Sequence, residues 1–136
     1  MALIISKLAS AMGDDIVEVG KARLFMTDGS ATNSSEVSIS NGATIAAPAG
    51  GSMGFIILNV KELTGSVKVI SDKTNANTNT VLATLSNGTL TYVGINSSDS
   101  AAASNTVNAN NCDYIIVFYR TPASSTSQPT YTITLS

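Results

Sequence analysis

The chain has 136 residues and a formal net charge of −2, a size typical of one domain. Ser, Thr and Asn fill 47 positions while charged residues make up only 12%, so the protein surface must be hydrated mainly through hydroxyl and amide groups rather than through charged groups. The seven basic residues are scattered, which argues against a nucleic-acid partner, and the lack of histidine excludes His-based catalysis and His-ligated zinc.

The first 13 residues are expected to form a short N-terminal helix or arm ahead of the β domain. Ile4, Leu8 and Ala11 would share one helical face, and Gly13 would end the helix. The apolar run is shorter than a signal-peptide core or a membrane span. We therefore expect no signal peptide and no membrane partner; the alternative is a secreted protein cleaved after Ala9 or Ala11.

Residues 14–136 are predicted to form a single all-β domain. Apolar residues recur with period two and many are β-branched, which is typical of strands. The spacing of strands and turns predicts an antiparallel β-sandwich or a jelly-roll-like barrel of about 8–10 short strands. The predicted strands span 15–19, 21–27, 36–40, 43–47, 53–60, 66–71, 80–86, 89–95, 113–120 and 130–135, with 106–107 as a candidate for one more.

A hairpin is predicted around Asn87-Gly88, because this pair suits a two-residue type I′ turn. The turn sets the register of the two strands, and one face of the hairpin is predicted to point inward. The inward pairs are Leu85 with Leu90 and Ala83 with Tyr92; the other pairs are Ser86 with Thr89 and Thr84 with Thr91.

A second Asn-Gly pair, Asn41-Gly42, predicts another hairpin. A two-residue loop would set apolar residues opposite polar ones. A three-residue loop over 41–43 sets Ile39 opposite Ile45 and is the preferred interpretation.

Two predicted strands, 53–60 and 113–120, are apolar on both faces. They contain the runs 55–58 and 114–119, and strands of this kind are buried on both sides. A single-domain sandwich normally exposes one face of each sheet. Something must therefore cover the outer face: the N-terminal segment, a long loop or another subunit.

The apolar residues of these two strands and of the N-terminal segment are candidates for partner contact or for the core. The pattern leaves the choice between the two roles open. The candidates are Ile4, Ile5, Leu8, Phe55, Ile57, Tyr114, Ile116 and Phe118.

No residue pattern predicts an enzyme, a cofactor or a metal centre. Glu18, Glu36 and Glu62 lie in or next to predicted strands, with no cue that would pair two of them as a general acid and base. Cys112 has no neighbouring cation in sequence to lower its pKa and is predicted to be an inert thiol. A Ser-Lys pair or a carboxylate pair is left open by composition alone.

Calcium binding and sugar binding are two alternatives to a purely structural role. Residues 72–79 offer oxygen ligands, but the Gly and Glu of an EF-hand loop are missing, so an Asn-rich turn is the better interpretation. Sugar-binding modules use exposed aromatic rings. This chain has no Trp, and all four tyrosines fall in predicted strands, where burial is expected.

In general character the chain resembles the decoration (cement) proteins of tailed bacteriophages. The resemblance rests on the Ser/Thr/Asn-rich strands and turns and on the apolar strands Met53 to Val60 and Asp113 to Arg120. It implies a non-enzymatic virion protein, assembled in the host cytoplasm, that self-associates, for example as a trimer, and clamps a major capsid protein. The alternatives are another virion part (tail tube, head-completion or fibre protein) and a cell-surface adhesin or carbohydrate-binding module.

Overall fold

The computed structural model describes residues 17–26, 36–46, 53–71, 79–97, 105–120 and 130–136. In these ranges ten strands form two antiparallel sheets, so the predicted all-β sandwich is confirmed. The predicted N-terminal helix or arm lies outside them. The strands are β1 Lys21–Met26, β2 Val37–Ser38, β3 Thr44–Ala46, β4 Met53–Asn59, β5 Ser66–Ser71, β6 Asn79–Ser86, β7 Thr89–Ser97, β8 Asn105–Asn108, β9 Tyr114–Arg120 and β10 Thr130–Leu135, with a 3-10 turn at Ala109–Asn111 before β9.

The larger sheet contains six strands in the order β2-β1-β4-β9-β6-β7, and the smaller sheet contains four in the order β3-β10-β5-β8. The two doubly apolar strands, β4 and β9, lie side by side in the middle of the larger sheet. Their register sets Phe55 opposite Phe118 and Ile57 opposite Ile116. Residues on both faces of these two strands are buried, which explains why their sequences lack the polar alternation of a strand with one solvent-exposed face.

The main core fills the space between the two sheets. Alternate side chains of each strand point into it, because successive residues of a strand face opposite sides of the sheet. From the larger sheet come Ala22, Leu24, Ile56, Leu58, Leu82, Ile115, Val117 and Tyr119, and from the smaller sheet Ile45, Val67, Val69, Val107, Tyr131 and Ile133.

The β6–β7 hairpin has the predicted turn and register. Asn87 and Gly88 adopt positive φ angles of 51° and 78°, as a type I′ turn requires at both central residues. The Asp113 carboxylate accepts a hydrogen bond from the Asn87 N–H at 3.3 Å, which ties the turn to the start of β9. The pairs run Ser86–Thr89, Leu85–Leu90, Thr84–Thr91 and Ala83–Tyr92.

The strand predicted at 15–19 is wrong for the part that the structure describes. Residues 17–20 form a turn in which the Lys21 N–H donates to the Glu18 carbonyl at 3.0 Å. Gly20 has a φ of 82°, a conformation that costs glycine little because it has no Cβ. The Val-Glu-Val segment at 17–19 is therefore used in a turn that leads into β1.

The hairpin predicted around Asn41-Gly42 is also wrong. β2 pairs with β1, and β3 pairs with β10, so the two strands belong to different sheets. The Ala43 N–H donates to the Ser40 carbonyl at 3.1 Å, and this tight turn carries the chain from one sheet to the other. Ile39 and Ile45 are both buried in the main core. Ile39 precedes the turn between the sheets and Ile45 follows it, so the two residues are not a cross-strand pair.

Candidate interaction surface

The five strand residues predicted as contact or core residues lie on one face of the larger sheet. This face points away from the smaller sheet, because these residues alternate along β4 and β9 with the residues of the main core. They belong to a second apolar cluster, which we call the outer-face cluster. Its buried members are Val17, Phe25, Phe55, Ile57, Tyr114 and Ile116, and Leu85, Leu90 and Phe118 pack against it.

Three aromatic rings cross the outer-face cluster from β1 to β9. The ring centroids of Phe25 and Phe55 are 5.5 Å apart in a stacked arrangement, and those of Phe55 and Phe118 are 6.3 Å apart. Contacts of this kind stabilise beyond the buried area alone. Sequence reasoning did not select Phe25, although Leu24-Phe25-Met26 carries the same signal as the other two strands, an apolar run on both faces.

The central members of the outer-face cluster are buried within a single chain. Phe55, Ile57 and Ile116 are 0% exposed, so a second subunit is not needed to shelter them, and they act as core residues. Tyr114 is 8% exposed and Phe118 is half-buried; contact of these two with a partner stays a prediction. The other three predicted contact residues, Ile4, Ile5 and Leu8, lie outside the described residues.

Charged side chains lie beside the outer-face cluster on the β1–β2 side and at the end of β4. Arg23 forms an ion pair with Glu36 next to β2. The Lys61 ammonium lies 5.0 Å from the centroid of the Tyr114 ring, within range of a cation–π contact. The opposite side of the sheet, formed by β6 and β7, carries no charged residue between 79 and 97.

β7 is the longest edge strand among the described residues. It spans nine residues, whereas the other edges, β2, β3 and β8, span two, three and four. An edge strand presents unpaired backbone N–H and C=O groups, and proteins usually protect it with charges, proline or a covering segment. β7 contains neither a charged residue nor a proline.

Tyr92 and Val93 on β7 are exposed, with 61% and 37% of their surface open to solvent. The prediction that Tyr92 points into the protein is therefore wrong. Tyr92 does share a sheet face with Leu90, as the register requires, but none of the described strands lies on the far side of β7 to pack against the ring. The other three tyrosines, Tyr114, Tyr119 and Tyr131, are buried as expected.

A bulge interrupts the β6–β7 ladder between Leu82 and Ala83. Leu82 pairs with Gly94 and Ala83 pairs with Tyr92, which leaves Val93 as the extra residue of β7. The regular part of the β7 edge next to the turn therefore runs from Thr89 to Tyr92.

A polar pocket of about 360 Å³ lies near the hairpin turn and is lined by residues 61–64, 86–87, 109–110 and 112–113. Lys61, Glu62 and Asp113 bring charged groups to it, and its volume is enough for a small molecule. In the described part of the chain, no group of three or more His, Cys, Asp or Glu side chains could hold a metal ion. The calcium alternative cannot be placed, since 72–78 fall outside the described ranges.

Cys112 is a buried residue that lines this pocket. Its Sγ lies 3.9 Å from the Asn108 carbonyl oxygen. Burial raises the pKa of the thiol, and the nearby Asp113 carboxylate raises it further. Because the thiolate is the reactive form, this environment agrees with the prediction of an inert thiol.

The three glutamates considered as acid–base candidates lie in different settings. Glu36 is paired with Arg23, Glu18 is exposed in the turn before β1, and Glu62 lines the polar pocket. An acid–base pair needs two groups held in hydrogen-bond reach of one substrate.

No helix in the described ranges is long and apolar enough to cross a membrane. No protein-family model matches the chain, and comparisons with curated proteins and with solved structures give no significant match. Any function therefore rests on the residues of this chain alone.

Proposed function

We propose that the chain is a non-enzymatic virion structural protein, a capsid decoration protein that stabilises a phage shell through contacts with itself and with a major capsid protein. The observation that carries this proposal is the edge strand β7, which is long and uncharged and contains the exposed Tyr92 and Val93. Unprotected edges of this kind add strands from other chains. A lone soluble domain gains nothing from such an edge and risks aggregation.

The outer-face cluster does not itself support the proposal, because its central residues are sheltered within the chain and need no partner. Contacts with a partner would therefore fall at strand edges and loops. A standard interface buries about 800 Å² on each partner. Area alone does not fix the affinity of such an interface, because association also costs translational and side-chain freedom.

Low surface charge also supports an assembly role. With only 12% charged residues, the chain can approach neighbouring subunits without burying many unpaired charges, each of which is costly to desolvate. Hydroxyl and amide groups can donate and accept at the same site, which suits them to contacts with several different neighbours.

Immunogold electron microscopy of virus particles tests the location. An antibody raised against the purified chain is applied to intact particles of the virus that encodes it, with antibody pre-absorbed on the same chain as the control. Gold distributed over the shell lattice supports a decoration protein. Gold confined to the tail or to one vertex would support the alternative virion parts, and particles free of gold and of the chain by mass spectrometry would overturn the virion assignment.

The exposed ring of Tyr92 favours a second candidate, a carbohydrate-binding or adhesin module. Exposed aromatic faces stack on sugars, and Tyr92 is the most exposed aromatic side chain among the described residues. A glycan array probed with the wild-type chain and with Tyr92→Ala separates the two candidates. Binding that the substitution abolishes would favour the adhesin, whereas an array without signal supports the structural role.

A further inference from the structure

We infer that β7 is a self-association site, at which two copies of this chain pair their β7 strands antiparallel about a two-fold axis at Thr91. The inference rests on the proposed assembly role and names its partner at this edge, a second copy of the chain. The paired segment is Thr89 to Tyr92, the regular part of the strand before the bulge.

The backbone of β7 has the hydrogen-bonding pattern that this pairing needs. Ser86 and Thr89 flank a two-residue turn, so they form a hydrogen-bonded pair, and such pairs alternate along an antiparallel ladder. Thr91 therefore directs its N–H and C=O towards β6, while Leu90 and Tyr92 direct theirs away from β6. No described strand lies there to accept them.

Two copies related by a two-fold axis at Thr91 satisfy these outward groups reciprocally. Leu90 of one copy then faces Tyr92 of the other, and both pairs are hydrogen-bonded pairs. Thr91 faces Thr91 of the second copy as a pair without hydrogen bonds. The register is self-complementary, as a two-fold interface requires.

The side chains fit the same register. Leu90 and Tyr92 share the outer face of the sheet, where Leu90 packs against the outer-face cluster and Tyr92 is 61% exposed. In the dimer each Tyr92 ring lies beside Leu90 of the second copy, a cross-strand aromatic–aliphatic pair of the kind that stabilises sheets. The two outer-face clusters thereby become one continuous apolar surface across the axis.

The strand that pairs with β7 is more favourably β7 of a second copy than β2, β3 or β8, because of its length, its lack of charge and its apolar side chains. β2 and β3 are shorter than the segment to be paired, and β2 lies beside the Arg23–Glu36 ion pair. The exposed large apolar side chains of the described residues are Val19, Met53, Tyr92 and Val93, and none of these lies on β2, β3 or β8. A copy of β7 brings a matching apolar strand that adds no like charges.

Disulfide trapping tests the register. Thr91→Cys would place two thiols in a pair without hydrogen bonds, where Cα atoms are about 4.5 Å apart, within the range that a disulfide spans. Thr89→Cys is the matched control, because Thr89 is equally exposed on β7 but faces Val93 of the second copy in this register. Under mild oxidation we expect Thr91→Cys to give at least tenfold more covalent dimer than Thr89→Cys or the wild-type chain, whose Cys112 is buried.

Light scattering over a range of concentrations tests the association without any new thiol. We expect the wild-type chain to dimerise, and Tyr92→Lys to weaken the dimer at least tenfold, because it places two cations near the axis and removes the ring. Met53→Lys is the control: Met53 is also exposed, at the start of a central strand away from β7, and this variant should dimerise like the wild type. Circular dichroism confirms that both variants are folded.

Three results would overturn the inference: a wild-type chain that stays monomeric at about 1 mM, a trimer as the smallest oligomer, or equal cross-linking at 89 and 91. None of these results concerns the location of the protein. Gold labelling of the shell by a chain that is monomeric in solution would leave the decoration role standing without the β7 dimer. A chain that forms the β7 dimer in solution but is absent from virus particles would leave the dimer standing without the decoration role.

Discussion

Truncating Phe55 tests whether the outer-face cluster is buried in the isolated chain or becomes buried only when a partner binds. Phe55 is 0% exposed and lies between Phe25 and Phe118. Phe55→Ala removes on the order of 100 Å² of buried apolar surface from the folded state, which lowers the free energy of unfolding by about 2.5 kcal/mol at 25 cal/mol per Å². The cavity left behind brings the expected loss to about 3–5 kcal/mol, the range found for buried Phe→Ala changes.

Urea unfolding of the dilute, monomeric chain measures this loss. A domain of this size has about 5–15 kcal/mol in total, so the variant is expected to be folded only at low denaturant. Ile57→Val, a smaller truncation in the same cluster, should cost about 0.5–1.5 kcal/mol and keeps the test readable if Phe55→Ala does not fold. Tyr92→Ala, at an exposed position, is the control and should cost less than about 0.5 kcal/mol.

A loss below about 1 kcal/mol for Phe55→Ala in the monomer would refute the reasoning. It would mean that the ring is largely exposed in the isolated chain, so that the outer face, rather than the edge of β7, is the surface that a partner covers. Unfolding of the Tyr92→Lys chain, in which the β7 dimer is weakened, would then still show a concentration-dependent midpoint at high protein concentration.

Three further predictions concern single buried groups. Asn59→Leu should cost about 1–3 kcal/mol in urea unfolding, because the buried Asn59 amide donates to the Val17 carbonyl at 2.9 Å; an unchanged midpoint would show that this bond adds nothing. Gly54→Ala should cost about 3 kcal/mol or prevent folding, because a Cβ would lie 2.1 Å from the Phe25 carbonyl oxygen; a wild-type thermal midpoint would contradict this close approach. Burial raises the pKa of Cys112. The stability tied to its protonated thiol is therefore fully present at neutral pH and is lost as the pH rises above the ordinary thiol pKa. A disulfide reagent at neutral pH should label Cys112 at least 100-fold faster in urea than in the native state, and equal rates would contradict its burial.

Strand positions and side-chain faces could be read from local pattern. The β6–β7 register follows from Asn87-Gly88, since a two-residue turn with two positive φ angles leaves one way to pair the flanking residues. The common face of Phe55 and Ile57 on β4, and that of Tyr114, Ile116 and Phe118 on β9, follow from the period of two along each strand. Both depend on neighbours close in sequence, which is why they could be predicted without knowing the sheet order.

Partners distant in sequence could not be read in this way. Ile39 and Ile45 are six positions apart across a tight turn, and local pattern favoured a hairpin, but hydrogen bonding with β1 and β10 draws their strands into different sheets. Tyr92 has the alternation of an inward residue, yet it is exposed because β7 lies at an edge. An edge is defined by the absence of a neighbour, and nothing in the strand itself records that.

The sequence by itself determined an all-β chain with two strands that are apolar on both faces, and the residues that share each face, because backbone geometry imposes a period of two on every strand. Only the tertiary structure decided which strands lie side by side, that the doubly apolar strands are sheltered within one chain, and that β7 is an edge among the described strands. Strand order is set by the total burial and backbone pairing of segments far apart in the chain, a balance that no single segment contains.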